Sequence, residues 1–371
     1  AAIYFFTDVF KVDEFVRLET LEAIPWLVIA VPMAMFSGVL SGSLQGIEKF
    51  KELNVISIIG STLIQVMPIF AALLWTADLC VVLPAVVMSR FMILFILFYQ
   101  CVKHISINQK PSFSKTQARQ LLGFGGWVTV TSLVGPMMVI LDRFVIGSVI
   151  GAKSVSYYTV PFQIGGRSSV VSSALTSALF PRFASSSPEE ERRLALEGLK
   201  ILVLVMTPLT VGGIFLIEPF LGWWISEGFA QHSALVGQVV LLGFWVNGFA
   251  KIPYTQLQAR GKPSLVAKCH LLELFPYLFF LYLGLNTLGL TGAAIVFSGR
   301  VFIDYVLLSA LSGILVSSWK LCLLPLLFLA TAFLISLIVG IFQTQWWVLV
   351  CCHLSVMLVW VYQMTPIDYK K

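Results

Sequence analysis

Apolar residues fill this chain in long blocks separated by short polar connections. Blocks of roughly twenty residues, coiled as helix, match the ~30 Å hydrocarbon core of a bilayer. Eleven such spans are predicted, at 21–46, 53–76, 79–102, 120–147, 154–180, 197–217, 235–257, 264–286, 289–314, 319–342 and 346–364. Strand-like alternation is absent, which argues against a β-barrel. Lipid offers backbone N–H and C=O groups no partner, so the spans must be helices. The expected fold class is all-α, a polytopic transmembrane helical bundle.

The polar connections separate cleanly by charge. One alternating set carries sixteen Lys and Arg residues: Lys49, Lys51, Lys103, Lys110, Lys115, Arg119, Arg182, Arg192, Arg193, Lys200, Arg260, Lys262, Lys268, Lys320, Lys370 and Lys371. The opposite set carries three, Lys11, Arg17 and Lys153. Basic loops stay in the cytoplasm, so the sixteen-residue side and the C-terminus are expected there. The basic connection 103–119 marks the expected break between two halves. Ser187-Pro188 with the acidic residues that follow reads as the start of a short surface helix leading into the next span. The Trp-rich segment 218–234 reads as an amphipathic helix lying at the headgroups. Residues 1–7 look like the end of an earlier apolar helix, so a preceding part of the protein is expected.

Composition agrees. Hydrophobic residues make up 58% of the chain and charged residues 11%, against about 25% charged in soluble domains. The net charge of +6 follows membrane topology, so a nucleic-acid partner is not expected. Six cysteines lie in or beside apolar runs and form no CxxC pair, and four histidines are scattered without metal-ligand spacing. No metal or cofactor is predicted. The chain contains no GxSxG, HExxH, GxxxxGK[ST] or DxD, so an enzyme is not expected.

Charges inside the spans carry the functional signal. Arg90, Arg167 and Arg300 lie mid-span; Arg143 and Lys251 lie nearer span ends, where snorkelling to the interface is a competing explanation. A charge at the bilayer centre costs about 3 kcal/mol on insertion scales. These five predict a cationic, water-filled cavity for an anionic cargo. Arginine suits phosphate because its fork binds two oxygens and it stays charged. The acidic residues in the spans are Asp142, Glu273 and Asp304. Asp304 follows Arg300 by four residues, so an intrahelical ion pair is one reading. Proton or sodium coupling through these carboxyls is the other. Gly38, Gly42 and Gly46 predict close helix packing, within the protein by default. Pro32, Pro68, Pro84, Pro136, Pro161, Pro208 and Pro276 predict kinked, mobile spans.

The stretch 121–184, with FGGW, LDRF, YYTVPF and ALFPRF, resembles the oligosaccharide flippases of the O-antigen type. So does the LQG-IEKFK-LN exit of the first complete span. The resemblance covers most of residues 20–310, and Arg143 of LDRF is a family-like position. It implies a two-lobed, MATE-like flippase fold. Residues 1–102 would be the remainder of the first lobe, 103–119 the cytoplasmic linker, 120–314 the second lobe, and 315–371 two extra helices and a tail. It implies residence in the bacterial inner membrane and flipping of an undecaprenyl pyrophosphate-linked glycan between leaflets. A polysaccharide polymerase and a chain-length regulator would be further partners. A cation-coupled multidrug exporter of the same fold is the first alternative, and a membrane polysaccharide polymerase the second.

Overall fold

A computed structural model describes residues 14–76, 78–104, 114–339 and 344–365, and places eleven α-helices and no strand among them. They are α1 (Glu14–Gly46), α2 (Phe50–Leu74), α3 (Leu79–His104), α4 (Lys115–Val149), α5 (Ala152–Gly166), α6 (Ser169–Ser185), α7 (Pro188–Trp224), α8 (Glu227–Ala259), α9 (Pro263–Ser312), α10 (Leu315–Ile338) and α11 (Thr344–Met364). The expectations for residues 1–7, most of the linker and the C-terminal tail lie outside the described residues. Nine of the helices are long and apolar enough to cross a membrane, and α5 and α6 are not.

Two local features reconcile nine with the predicted eleven. Helix α9 is folded on itself at Gly289, whose φ of 60° and ψ of −142° break the helix. A side chain resists that left-handed backbone, and glycine does not. Gly284 and Gly292 then touch backbone to backbone. Further along, Glu273 meets Arg300 and His270 meets Asp304. These pairs bracket one turning point near 287, so 263–288 and 290–312 are antiparallel arms. The second feature is a tight turn at Arg167–Ser168, held by i to i−3 hydrogen bonds, that separates α5 from α6. Both helices run alongside α8 in one direction, through Tyr157–His232, Phe162–Phe244 and Ser173–Lys251. They act as one bent rod over the predicted span 154–180.

The chain divides into two compact units, Ala1–Ser112 and Phe113–Lys371. In the first, α3 packs on α1 and α2. Leu44, Ile56, Leu97 and Cys101 form its core, and the Cys101 thiol reaches the Leu40 carbonyl at 3.3 Å. The contact face of α1 therefore runs through Leu40 and Leu44. Gly38, Gly42 and Gly46 lie off it, and a Cβ at any of them would meet nothing within 4 Å. Among the described residues, nothing packs closely on these glycines.

In the second unit α8 is the hub, packed by α5, α6, α7 and α9. Apolar side chains gain little by leaving lipid for one another, so close packing and interhelical hydrogen bonds must hold such helices together. Trp245 Nε1 donates to Thr207 Oγ1 at 3.1 Å, Gln238 Nε2 to Ser336 Oγ at 2.6 Å, and Ser298 Oγ to the Val239 carbonyl at 2.8 Å. At one end buried Glu191 accepts from Gln256 Nε2 and Arg260 Nε, both at 3.0 Å. Helices α10 and α11 pack on the outer side of α7, with Phe215 against Trp346 and His353.

Two helix boundaries differ from expectation. Ser187 does cap a helix, accepting from Glu190 N at 3.4 Å with Pro188 in the first turn. That helix continues unbroken to Trp224, so there is no separate surface helix. Likewise 218–224 is the last turn of α7, and Ser226 caps α8 by accepting from Phe229 N at 3.2 Å. The capping serine starts the next span at once, which leaves no room for a separate interfacial helix, although Trp223 and Trp224 are exposed as an anchor would be.

Candidate functional site

Polar residues of the second unit's spans gather on the facing sides of α4, α6, α8 and the α9 hairpin. On the first α9 arm His270, Glu273 and Tyr277 fall at i, i+3 and i+7, one helix face. On the second arm Arg300 and Asp304 are one turn apart. The antiparallel fold apposes these two stripes. Arg300 Nη1 lies 3.5 Å from Glu273 Oε2, and His270 Nε2 lies 3.4 Å from Asp304 Oδ1. The intrahelical pair between Arg300 and Asp304 is not made, because each reaches across to the other arm instead.

Beside this quartet is a second buried group. Tyr277 donates to Asp142 Oδ1 at 2.6 Å, and Asp142 is 1% exposed. The Arg300 guanidinium lies over the Tyr277 ring at 5.4 Å. Tyr158, fully buried, neighbours the same carboxylate. Arg143 acts on Asp142 electrostatically from the next position of α4. One aromatic network thus links α4, α5 and α9.

A cavity of about 430 Å³ opens against these groups. Lys251, Arg300, His270 and Asp304 line it, with Asn247 and Tyr254. Lys251 is held inward, donating to Ser173 Oγ at 2.6 Å and the Ser169 carbonyl at 3.2 Å. Tyr254 stacks on His270 at 6.2 Å. His270 Nδ1, Glu273 Oε1 and Arg300 Nε are buried without a hydrogen-bond partner. An unmade buried hydrogen bond costs about 1–3 kcal/mol, so these residues favour a polar guest or water. No cluster of three or more metal-ligating side chains occurs among the described residues.

Five basic residues were expected around one cavity. Lys251 and Arg300 converge on it, and Lys251 does not snorkel away. Arg143 stands behind, next to Asp142. Arg167 is exposed at the α5–α6 turn, and Arg90 is half-buried on α3 of the first unit. The cavity lining is less one-sided than expected, with two fixed cations facing Asp304. Sequence reasoning passed over His270, Tyr277, Tyr158 and Tyr254. The spacing of 270, 273 and 277 was the available signal.

Residues 12–234 match the polysaccharide biosynthesis protein family, more than half of the chain. The chain belongs to that family. A Shigella flexneri protein described as "Putative O-antigen transporter" is 31% identical over 283 residues, covering 76% of this chain and 67% of that protein. Among solved structures, a MATE transporter in complex with MaL6 superposes with a TM-score of 0.75 at 17% identity, covering 86% of this chain and 74% of the other. A MOP superfamily transporter from Pyrococcus furiosus gives 0.73 at 16% identity with the same coverage. These likenesses establish a MATE-like flippase fold and a multi-pass membrane transporter. The relatives are transporters rather than enzymes, as the missing catalytic motifs led one to expect.

Proposed function

We propose that this transporter moves an undecaprenyl pyrophosphate-linked oligosaccharide from the cytoplasmic to the periplasmic leaflet by alternating access. The observation that carries the reading is the convergence of Lys251 and Arg300, both on helices long and apolar enough to cross a membrane, on one polar cavity, in a chain of the polysaccharide biosynthesis family. A pyrophosphate supplies the anionic oxygens two such cations would hold. The glycan, fully polar, needs an aqueous path, and alternating access would supply it on each side in turn. A cytoplasmic C-terminus, supported by the basic loops, and inner-membrane residence, supported by the resemblance, belong to the same proposal, as do cargo-binding roles for Arg90, Arg143 and Arg167. So do the domain limits at 103–119 and 315, and a polymerase and chain-length regulator as partners.

Glu273 and Asp304 supply the coupling step in this account. Cargo phosphate competes with Glu273 for Arg300, and the released carboxylate takes up a proton or sodium ion; Asp142 holds Tyr277 in place beside it. The same acids give the multidrug-exporter alternative its support, since a cationic drug would seek them. Surface polysaccharide in a flippase-null strain separates the two. Lys251→Gln should reduce surface polysaccharide roughly tenfold, the loss of one charge-assisted hydrogen-bonding cation, with drug resistance unchanged. Full polysaccharide with altered drug resistance would favour the exporter. Under an imposed proton gradient, Glu273→Gln or Asp304→Asn should remove the gradient dependence of transport; unchanged dependence in both would exclude them as coupling groups.

A further inference from the structure

A second cavity, about 470 Å³, lies between the two arms of α9. Its walls are Leu272, Phe280, Ile295 and Ile303, all exposed. Buried Glu273 and Tyr277 and the partly buried Arg300 close its floor, and nearly all the surface it presents is apolar. Arg300 therefore borders both cavities, the polar one and this apolar groove. Gly299 lines the groove at the preceding position, and a Cβ there would meet nothing within 4 Å, so the groove is open at that point.

An apolar slot with a partly buried cation at its floor has the polarity of one kind of ligand, a long hydrocarbon chain terminated by phosphate. At the ~30 Å³ that a water-sized group occupies, the slot takes on the order of fifteen carbons. We propose that this groove seats the first isoprene units of the lipid-linked cargo, with the phosphate at Arg300 and the glycan in the polar cavity. The proposal rests on the anionic-cargo reading above. Isoprenoid fits better than an ordinary phospholipid because Arg300 also lines the polar cavity, which has room for the glycan that a lipid-linked cargo carries beyond its phosphate.

The test is binding of inorganic pyrophosphate, geranyl pyrophosphate and undecaprenyl pyrophosphate to the purified protein in phosphatidylcholine nanodiscs. Gly299→Phe fills the groove from an open position; Gly299→Ala is the control for folding. Membrane partitioning raises the apparent affinity of the longer chains equally for all variants, so the ratio to wild type isolates the groove. The expected result is a roughly tenfold loss of undecaprenyl pyrophosphate binding in Gly299→Phe, the cost of leaving a few methylenes unburied. Inorganic pyrophosphate should bind unchanged, and Gly299→Ala should bind both as wild type does. Undecaprenyl pyrophosphate binding equally to wild type and Gly299→Phe overturns the groove, and means that bulk lipid occupies it. If pyrophosphate binds wild type no better than Arg300→Gln, the anionic-cargo reading itself fails first.

Discussion

Arg300→Gln should lower the melting temperature of the purified protein and end transport, and adding Glu273→Gln should restore the first without the second. Glu273 is buried, Arg300 is partly buried, and they face each other at 3.5 Å. Removing one member of a buried pair leaves an uncompensated charge and costs about 3–5 kcal/mol. The pair here is long and sits beside a polar cavity, so the lower figure applies. Glu273→Gln in the Arg300→Gln background removes the orphan charge and leaves a neutral side chain at both positions. Stability then returns while the cargo's cation does not. Loss of a buried charged partner for the ligand weakens binding by about 2–5 kcal/mol, thirtyfold or more in affinity. A thermal-shift assay and a transport assay on the same three proteins check both halves. A double variant that recovers transport along with stability would make Arg300 a structural residue only.

Gly292→Ala should be among the most damaging of single-methyl changes, because the added Cβ has no space. It would overlap the Gly284 carbonyl, and a Cβ at Gly284 would lie 3.1 Å from the Gly292 carbonyl oxygen. Overpacking costs typically 1–3 kcal/mol when side chains can shift; here the obstacle is backbone, so the upper end is expected. The arms must separate, and that pulls Arg300 from Glu273 and Asp304 from His270. Transport should fall with stability. Gly299→Ala on the same arm meets open space and should leave the melting temperature level or slightly raised, since alanine favours helix over glycine by about 0.5–1 kcal/mol. Equal melting temperatures for Gly292→Ala and Gly299→Ala would refute the hairpin contact.

The hairpin also shows what was legible in the chain. Hydropathy placed spans at 264–286 and 289–314, and the helix breaks at Gly289, the first residue of the second. Span positions are legible because lipid imposes one length and one secondary structure on every crossing. Arg300 was legible for the same reason, as a charge that needs a cause. Its partner was not. Spacing along one helix pointed to Asp304, whereas the fold offers Glu273, twenty-seven residues away on the other arm. Lys251 was left between cavity and interface; its acceptors, Ser173 and the Ser169 carbonyl, sit on α6, where helix periodicity says nothing of them. His270 was set aside for lacking metal-ligand spacing, and its role instead is to face Asp304. The glycines at 38, 42 and 46 failed in the opposite direction. Their spacing permits a close approach, but Leu40 and Leu44 decide which face of α1 meets α3.

The central claim is that the Lys251–Arg300 cavity passes a lipid-linked pyrophosphate glycan across the bilayer. The direct measurement is translocation of a fluorescent undecaprenyl pyrophosphate-linked oligosaccharide in proteoliposomes, read by quenching of outer-leaflet label. Wild-type protein should speed translocation well above protein-free vesicles, and the stability-restored Arg300→Gln/Glu273→Gln variant should not. Wild-type translocation no faster than in empty vesicles, or equal rates for the two proteins, would contradict the account.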